Sequence, residues 1–139
     1  MGTRCQLGFY EPGEKDFNKY QALIYQHYDG YPEGIYPEIM PILNDFNKNR
    51  GMSDLEYASA WLVAKVKTDY LNVGICNSFH LDIEYFYAIY PDKVECYEID
   101  YGKRGDEVSI NNCLRLIRTE RFKPIPKGKI TGFSVLEQI

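Results

Sequence analysis

A chain of 139 residues fits one domain of ordinary size, long enough to bury a core without disulfide or metal staples. Its composition, 45% hydrophobic and 26% charged, argues against wholesale disorder, and a net charge of −4 argues against non-specific nucleic-acid binding through phosphate neutralisation. Thirteen Tyr, seven Phe and one Trp raise the aromatic share to 15%, more than a generic core requires.

In chain order, Cys5, Leu7 and Phe9 alternate with Arg4, Gln6 and Gly8, which predicts a half-buried strand. Pro12-Gly13 marks a polar turn, and residues 20–28 predict a second strand returning antiparallel to the first. Asp29-Gly30-Tyr31-Pro32 ends that strand. Ile39, Leu43 and Phe46 then recur at helical spacing, with Pro41 expected to start or kink the helix and Arg50-Gly51 to close it. Ser53 and Glu56 fit a capping box for a second helix, whose buried face would carry Leu55, Ala58, Leu62 and Val66, with an exit at Asn72–Gly74. From Asp82 the period changes to two, placing Ile83, Tyr85, Tyr87 and Ile89 on one face of a strand. Pro91-Asp92 turns it into a returning strand over 93–101, followed by a polar loop at 102–106. Residues 108–122 fit helix or strand, and strand is preferred. Residues 124–139 are expected to end the chain as a short strand or docked tail. The fold class expected is α+β, an antiparallel sheet of four to six strands with two helices packed on one face, in a single domain over 1–139.

Four cysteines stand apart with no C-x-x-C pair, and no apolar leader precedes a cleavage site. The expectation is a cytoplasmic protein with reduced thiols and no membrane segment, Cys5 and Cys96 being small core residues. Residues 1–101 carry 8 basic and 16 acidic side chains, whereas residues 102–139 carry 8 and 4. The basic third either neutralises the acidic body or forms an anion site.

Several constellations bear on chemistry. His27-Tyr28-Asp29 and His80-Leu81-Asp82 repeat one pattern; on strands each imidazole would stand beside its carboxylate, a pairing that raises basicity and suits a divalent metal. His27, Asp29, His80 and Asp82 are thus the metal-ligand or general-base alternative, against a plainer role in capping turns. Arg4 is expected to pair with Asp29 and fix the turn. Asp82, Glu84, Glu95, Glu98 and Asp100 crowd one hairpin, as carboxylates holding Mg²⁺ do, or as its solvent face. Tyr25, Tyr28, Tyr31 and Tyr36 gather near the D-G-Y-P turn, and Tyr85, Tyr87, Tyr90, Tyr97 and Tyr101 populate the hairpin, in keeping with the preference of Tyr for strands or for flat ligands. With Arg115, Arg118, Arg121 and Lys123 folded against them, they would take a small anionic ligand with an aromatic base. No Walker A loop, nucleophile elbow, dinucleotide fingerprint or H-E-x-x-H is present.

Gly2-Thr3-Arg4 leading into Leu7-Gly8-Phe9-Tyr10, the stretch YQHYDGYPEG at 25–34 and IEYFYAIY at 83–90 resemble a family of small uncharacterised proteins of bacteria, archaea and phages. The resemblance implies a fold-level expectation over residues 2–100; a phage or mobile-element setting would imply host interaction or counter-defence. The combined reading is a non-enzymatic binding protein without a cofactor, engaging a small nucleotide-like anionic ligand or a host protein and self-associating. Its binding surface would comprise Arg4, Tyr25, His27, Asp29, Tyr31, Tyr85, Tyr87, Arg115 and Arg118. The alternatives are a metal-dependent hydrolase or phosphodiesterase and a structural or assembly component.

Overall fold

The alternation of Cys5, Leu7 and Phe9 forms a strand, β1 (Cys5–Phe9), and after the turn at Gly13 the chain returns antiparallel as β2 (Ala22–Gln26). The structure, a computed structural model, describes residues 3–80, 82–100 and 109–123; the loop expected at 102–106 and the tail expected over 124–139 lie outside them. Helices α1 (Pro32–Asn49) and α2 (Leu55–Val66) follow, then β3 (Val73–Ile75), β4 (Tyr85–Ile89), β5 (Lys93–Ile99), a 3₁₀ turn at Ile110–Asn112 and β6 (Leu114–Arg121). Six strands in the order β3-β2-β1-β4-β5-β6 make one sheet, mostly antiparallel, and with the two helices this is an α+β fold. Of the ambiguous segment, Leu114–Arg121 is thus a strand, and the residues just before it form the 3₁₀ turn.

One pairing departs from the antiparallel expectation. β1 and β4 run parallel, with Cys5 opposite Tyr85 and Phe9 opposite Ile89. One edge of β1 is taken by β2, so the chain must travel through both helices and β3 before docking on the other edge. Such a crossover is what a parallel pair requires, whereas a hairpin delivers an antiparallel one. β3 was hidden because Asn72–Gly74 reads as a turn. The same asparagine serves the helix exit: its amide donates to the Val66 carbonyl at 2.8 Å while β3 begins at the next residue.

Both helices differ locally from expectation. α1 starts at Pro32, a first-turn position whose missing N–H costs nothing, and contains both Pro37 and Pro41. The two prolines lie four residues apart on the exposed face, where water can satisfy the carbonyls they leave unbonded. The opposite stripe, Ile35, Tyr36, Ile39, Met40, Leu43 and Phe46, is buried and holds the helix together. In α2 the capping box does not form. Asp54 occupies the cap position without a side-chain cap bond, and its carboxylate accepts instead from Arg50 at 2.9 Å. Leu55, Ala58, Leu62 and Val66 are buried as expected.

The strands sort their side chains into two clusters. Cys5, Leu7, Phe9, Tyr87, Ile89 and Cys96 belong to the cluster that contains the buried residues of α1 and α2. The second contains Tyr10, Phe17, Leu23, Phe86, Ala88 and Ile110, with Tyr20, Phe79 and Tyr97 packed against it. Ile83 belongs to this second cluster, not to the face of Tyr85, Tyr87 and Ile89, because the β4 ladder begins only at Tyr85.

This arrangement accounts for much of the aromatic excess. Among the described residues neither α1 nor α2 contributes to the second cluster; connecting segments and the 3₁₀ turn supply its cover, and large rings span the gap. Their hydroxyls then staple loop to loop. Tyr10 donates to the Phe17 carbonyl at 2.7 Å, Tyr20 to Asn77 at 2.6 Å and Tyr90 to Glu14 at 2.8 Å. In the first cluster Tyr87 donates to Gly30 at 2.6 Å and Tyr36 to Val94 at 3.1 Å. Each buried hydroxyl finds the partner that burial demands.

Those tyrosines set an alkaline limit. Burial, first of all, pushes Tyr10, Tyr36, Tyr87 and Tyr97 well above the usual phenol value, and Tyr90 to about 12. Below pH about 10 both folded and unfolded phenols are protonated, so this stabilisation is fully present; above it the unfolded chain ionises first and the stabilisation is lost. Urea midpoints measured from about pH 8 to about pH 11 should therefore fall gently once the unfolded thiols ionise, since burial raises Cys5 and Cys96 too, and then steeply above about pH 10. A midpoint still level at about pH 11 would contradict the assignment.

Candidate functional site

Two places on the molecule gather chemistry. The larger is a cleft of about 590 Å³ where the chain leaves the carboxyl ends of β1 and β4. Phe17, Tyr90 and Tyr97 supply aromatic wall, and Lys15, Lys93, Glu14, Asp92 and Glu95 supply polar groups. The β1–β2 connection contributes the first part and the β4–β5 hairpin the second, so parallel pairing of β1 and β4 is what brings them together.

The walls are fixed from behind. Phe17 packs edge-on against Tyr10, Phe86 and Tyr97, with centroids 5.2–5.3 Å apart. The Phe17 amide donates to the Asn111 side chain at 2.9 Å, anchoring this wall to the 3₁₀ turn. The polar groups are mutually compensated. Lys93 Nζ lies 3.3 Å from Glu95 and 5.4 Å from the Tyr90 ring centroid, and the Tyr97 hydroxyl donates to Glu95 at 2.8 Å. Asp92 pairs with Arg121 at 3.1 Å. Lys15, which also lines the cleft, is exposed.

The second place lies at the opposite end of β1. Arg4 Nη1 stands 3.6 Å from Asp82 Oδ2, not beside Asp29 as expected. The parallel register explains the exchange, since Glu84 N–H donates to the Arg4 carbonyl at 2.9 Å and so carries Asp82 alongside. Asp29, at a left-handed φ of 56°, accepts instead from the Tyr31 hydroxyl at 3.3 Å. His80 stacks on Tyr25 with centroids 4.6 Å apart and planes 25° from parallel, and the Tyr25 hydroxyl lies 2.8 Å from His27 Nδ1. His80 Nδ1 lies 4.0 Å from Asp82 Oδ1.

Tyr25 therefore touches both histidines; Asp82 stays beside His80, whereas Asp29 turns to the Tyr31 hydroxyl. Among the described residues no three His, Cys, Asp or Glu side chains converge as metal ligands. The acidic hairpin is likewise dispersed, Glu95 being tied to Lys93 and Glu98 to Arg115.

The rest of the expected surface does not assemble in one place. Tyr87 is fully buried in the first cluster, and Tyr85 packs against its edge. Arg115 and Arg118 lie on β6, four places from the Tyr25 strand in the sheet order. Arg115 pairs with Glu98, and Arg118 pairs with Glu120 while covering the Tyr36 ring at 4.4 Å. Among the described residues, then, the basic third of the chain is largely spent on neutralisation. Cys5 and Cys96 are buried core residues as expected, and so is Cys113; Cys76 is only half-buried.

No protein-family model matches the chain, and neither a curated protein nor a solved structure matches it. The functional reading therefore stands on geometry. Sequence reasoning named Tyr90, Tyr97 and Glu95 but missed Lys15, Phe17 and Lys93 as their neighbours. It also missed Cys76, four residues before His80 in a loop that no period marks. Among the described residues no helix is long and apolar enough to cross a membrane.

Proposed function

We propose that this is a binding protein for a small planar ligand of nucleotide-like character, held in the cleft beyond β1 and β4. The observation that carries the reading is the cleft's aromatic wall, Phe17, Tyr90 and Tyr97, facing compensated ionic groups in about 590 Å³. That volume falls in the range of small-molecule sites, which pair mostly apolar walls with a few placed polar groups. A ring would lie against the aromatic faces, its donors meeting Glu95 and its acidic substituent meeting Lys15 or Lys93.

In this reading copies of the chain associate through the exposed apolar strip at Tyr70, Leu71 and Ile75, of which Tyr70 is 99% and Ile75 80% exposed. Native mass spectrometry of protein purified from cells tests both parts in one spectrum. The expected result is a retained organic mass on an oligomer, with the retained mass lost in Lys93→Ala. A ligand-free monomer that takes up no nucleoside monophosphate would overturn the reading.

A further inference from the structure

The loop that follows β3 brings a thiol, an imidazole and a carboxylate into line. Cys76 Sγ lies 3.6 Å from His80 Nε2, and His80 Nδ1 lies 4.0 Å from Asp82 Oδ1. The order is that of a nucleophile, its base and the group that orients the base. The Cys76–His80 distance is at the long end of hydrogen bonding, as is usual for such a pair in the absence of a substrate, while His80 and Asp82 stand at ion-pair distance, longer than a hydrogen bond.

The surroundings hold this line in place. Gln6, fully buried on β1, accepts from the His80 N–H at 2.8 Å and donates to the Ser78 carbonyl at 3.1 Å, so one side chain fixes the loop carrying both Cys76 and His80. His80 is further oriented by its stack on Tyr25, and Asp82 is held by Arg4. Access is open. The His80 and Asp82 side chains are 40% and 54% exposed, and a Cβ added at Gly74, which pairs with Tyr25 in register, would meet nothing within 4 Å.

We propose that Cys76, His80 and Asp82 form a second functional site, a thiol nucleophile for acyl transfer from activated esters or thioesters to water. It is separate from the ligand cleft at the other end of β1 and does not rest on it. In the first step the Cys76 sulfur bonds the acyl carbon and its proton passes to His80 Nε2, while the carbonyl electron pair moves onto oxygen. Collapse expels the alcohol or thiol, which takes the proton from His80, and leaves S-acyl-Cys76. Water then attacks the thioester and gives its proton to His80; the tetrahedral adduct breaks its C–S bond, releasing the carboxylic acid and returning the proton to the Cys76 sulfur. Burial raises the Cys76 thiol above its ordinary value, so the resting sulfur keeps its proton and needs the base beside it. Asp82 is a positioning residue, acting through His80.

The test uses p-nitrophenyl acetate with the full-length protein. The expected result is a burst of one equivalent of nitrophenol followed by turnover, with peptide mapping placing a single acetyl group on Cys76. Cys76→Ala should abolish the burst, and His80→Gln should slow acylation about a hundredfold or more. Asp82→Asn should lower kcat with little change in KM, and Asp82→Glu should recover part of it. Melting temperatures equal to the parent's exclude misfolding as the cause. Acetyl groups on lysines instead of Cys76, or an acylation rate unchanged in a folded His80→Gln variant, would overturn the proposal. A burst with no turnover would overturn its hydrolytic half.

Discussion

Phe86→Ala should lower the free energy of unfolding by about 3–5 kcal/mol, the cost of emptying a large ring from a core. That is a sizeable fraction of the roughly 5–15 kcal/mol by which domains of this kind are stable. Phe86 is fully buried at the centre of the second cluster, where Tyr10, Phe17, Phe79 and Tyr97 surround it with centroids 5.2–6.3 Å away. The neighbours cannot collapse into the space, because the Tyr10 hydroxyl is tied to the Phe17 carbonyl and the Tyr97 hydroxyl to Glu95. The predicted loss thus includes a cavity as well as lost transfer energy. Phe86→Leu should cost less and still loosen Phe17 and Tyr97, both of which line the cleft. Chemical denaturation gives the stability change. A loss below about 1 kcal/mol for the alanine variant would mean that the ring does not support this face.

The second large effect comes from adding a single methyl group. Gly30→Ala should destabilise by about 3 kcal/mol, at the upper end for overpacking. A Cβ there would stand 2.8 Å from the Thr3 carbonyl oxygen, 2.8 Å from Cys5 Cβ and 3.0 Å from the Cys5 amide nitrogen. Two of the three obstacles are backbone, so no rotamer change relieves them. The same residue donates its N–H to Thr3 at 2.8 Å and accepts from the Tyr87 hydroxyl at 2.6 Å, so displacing it strains both bonds. Gly13 and Gly74, whose added Cβ would meet nothing within 4 Å, separate crowding from backbone freedom. Gly74→Ala should be nearly neutral, while Gly13→Ala carries only the penalty of its φ of 79°. If thermal melts rank Gly74→Ala as damaging as Gly30→Ala, the close approach is not the cause.

Much of the secondary structure was legible because each element repeats its signal. The alternation in residues 5–9 and the two-residue period before Pro91 survive as β1 and the β4–β5 hairpin, and the stripe from Ile39 to Phe46 survives in α1. What failed depends on pieces far apart in sequence. Pro37 and Pro41 sit inside α1 because tertiary burial of the opposite face outweighs two lost backbone bonds. No local signal tells Arg4 to choose Asp82 over Asp29; the parallel register of β1 and β4 decides it. Tyrosines named as surface divide in the same way, since Tyr87 is buried in the cluster that also holds the buried residues of α1 and α2, while Tyr25 faces His80. The cleft joins residues 12–17 to residues 90–97, and only the sheet order makes them neighbours.

The central claim, a ligand cleft beyond the carboxyl ends of β1 and β4, is tested most directly by NMR titration of the labelled protein with adenosine and uridine monophosphates. The account predicts saturable shifts concentrated on residues 12–17 and 90–97, weakened in Lys15→Ala and Lys93→Ala. Shifts that never saturate, or that gather around Tyr25 and His80 and leave Phe17, Tyr90 and Tyr97 unmoved, would contradict it.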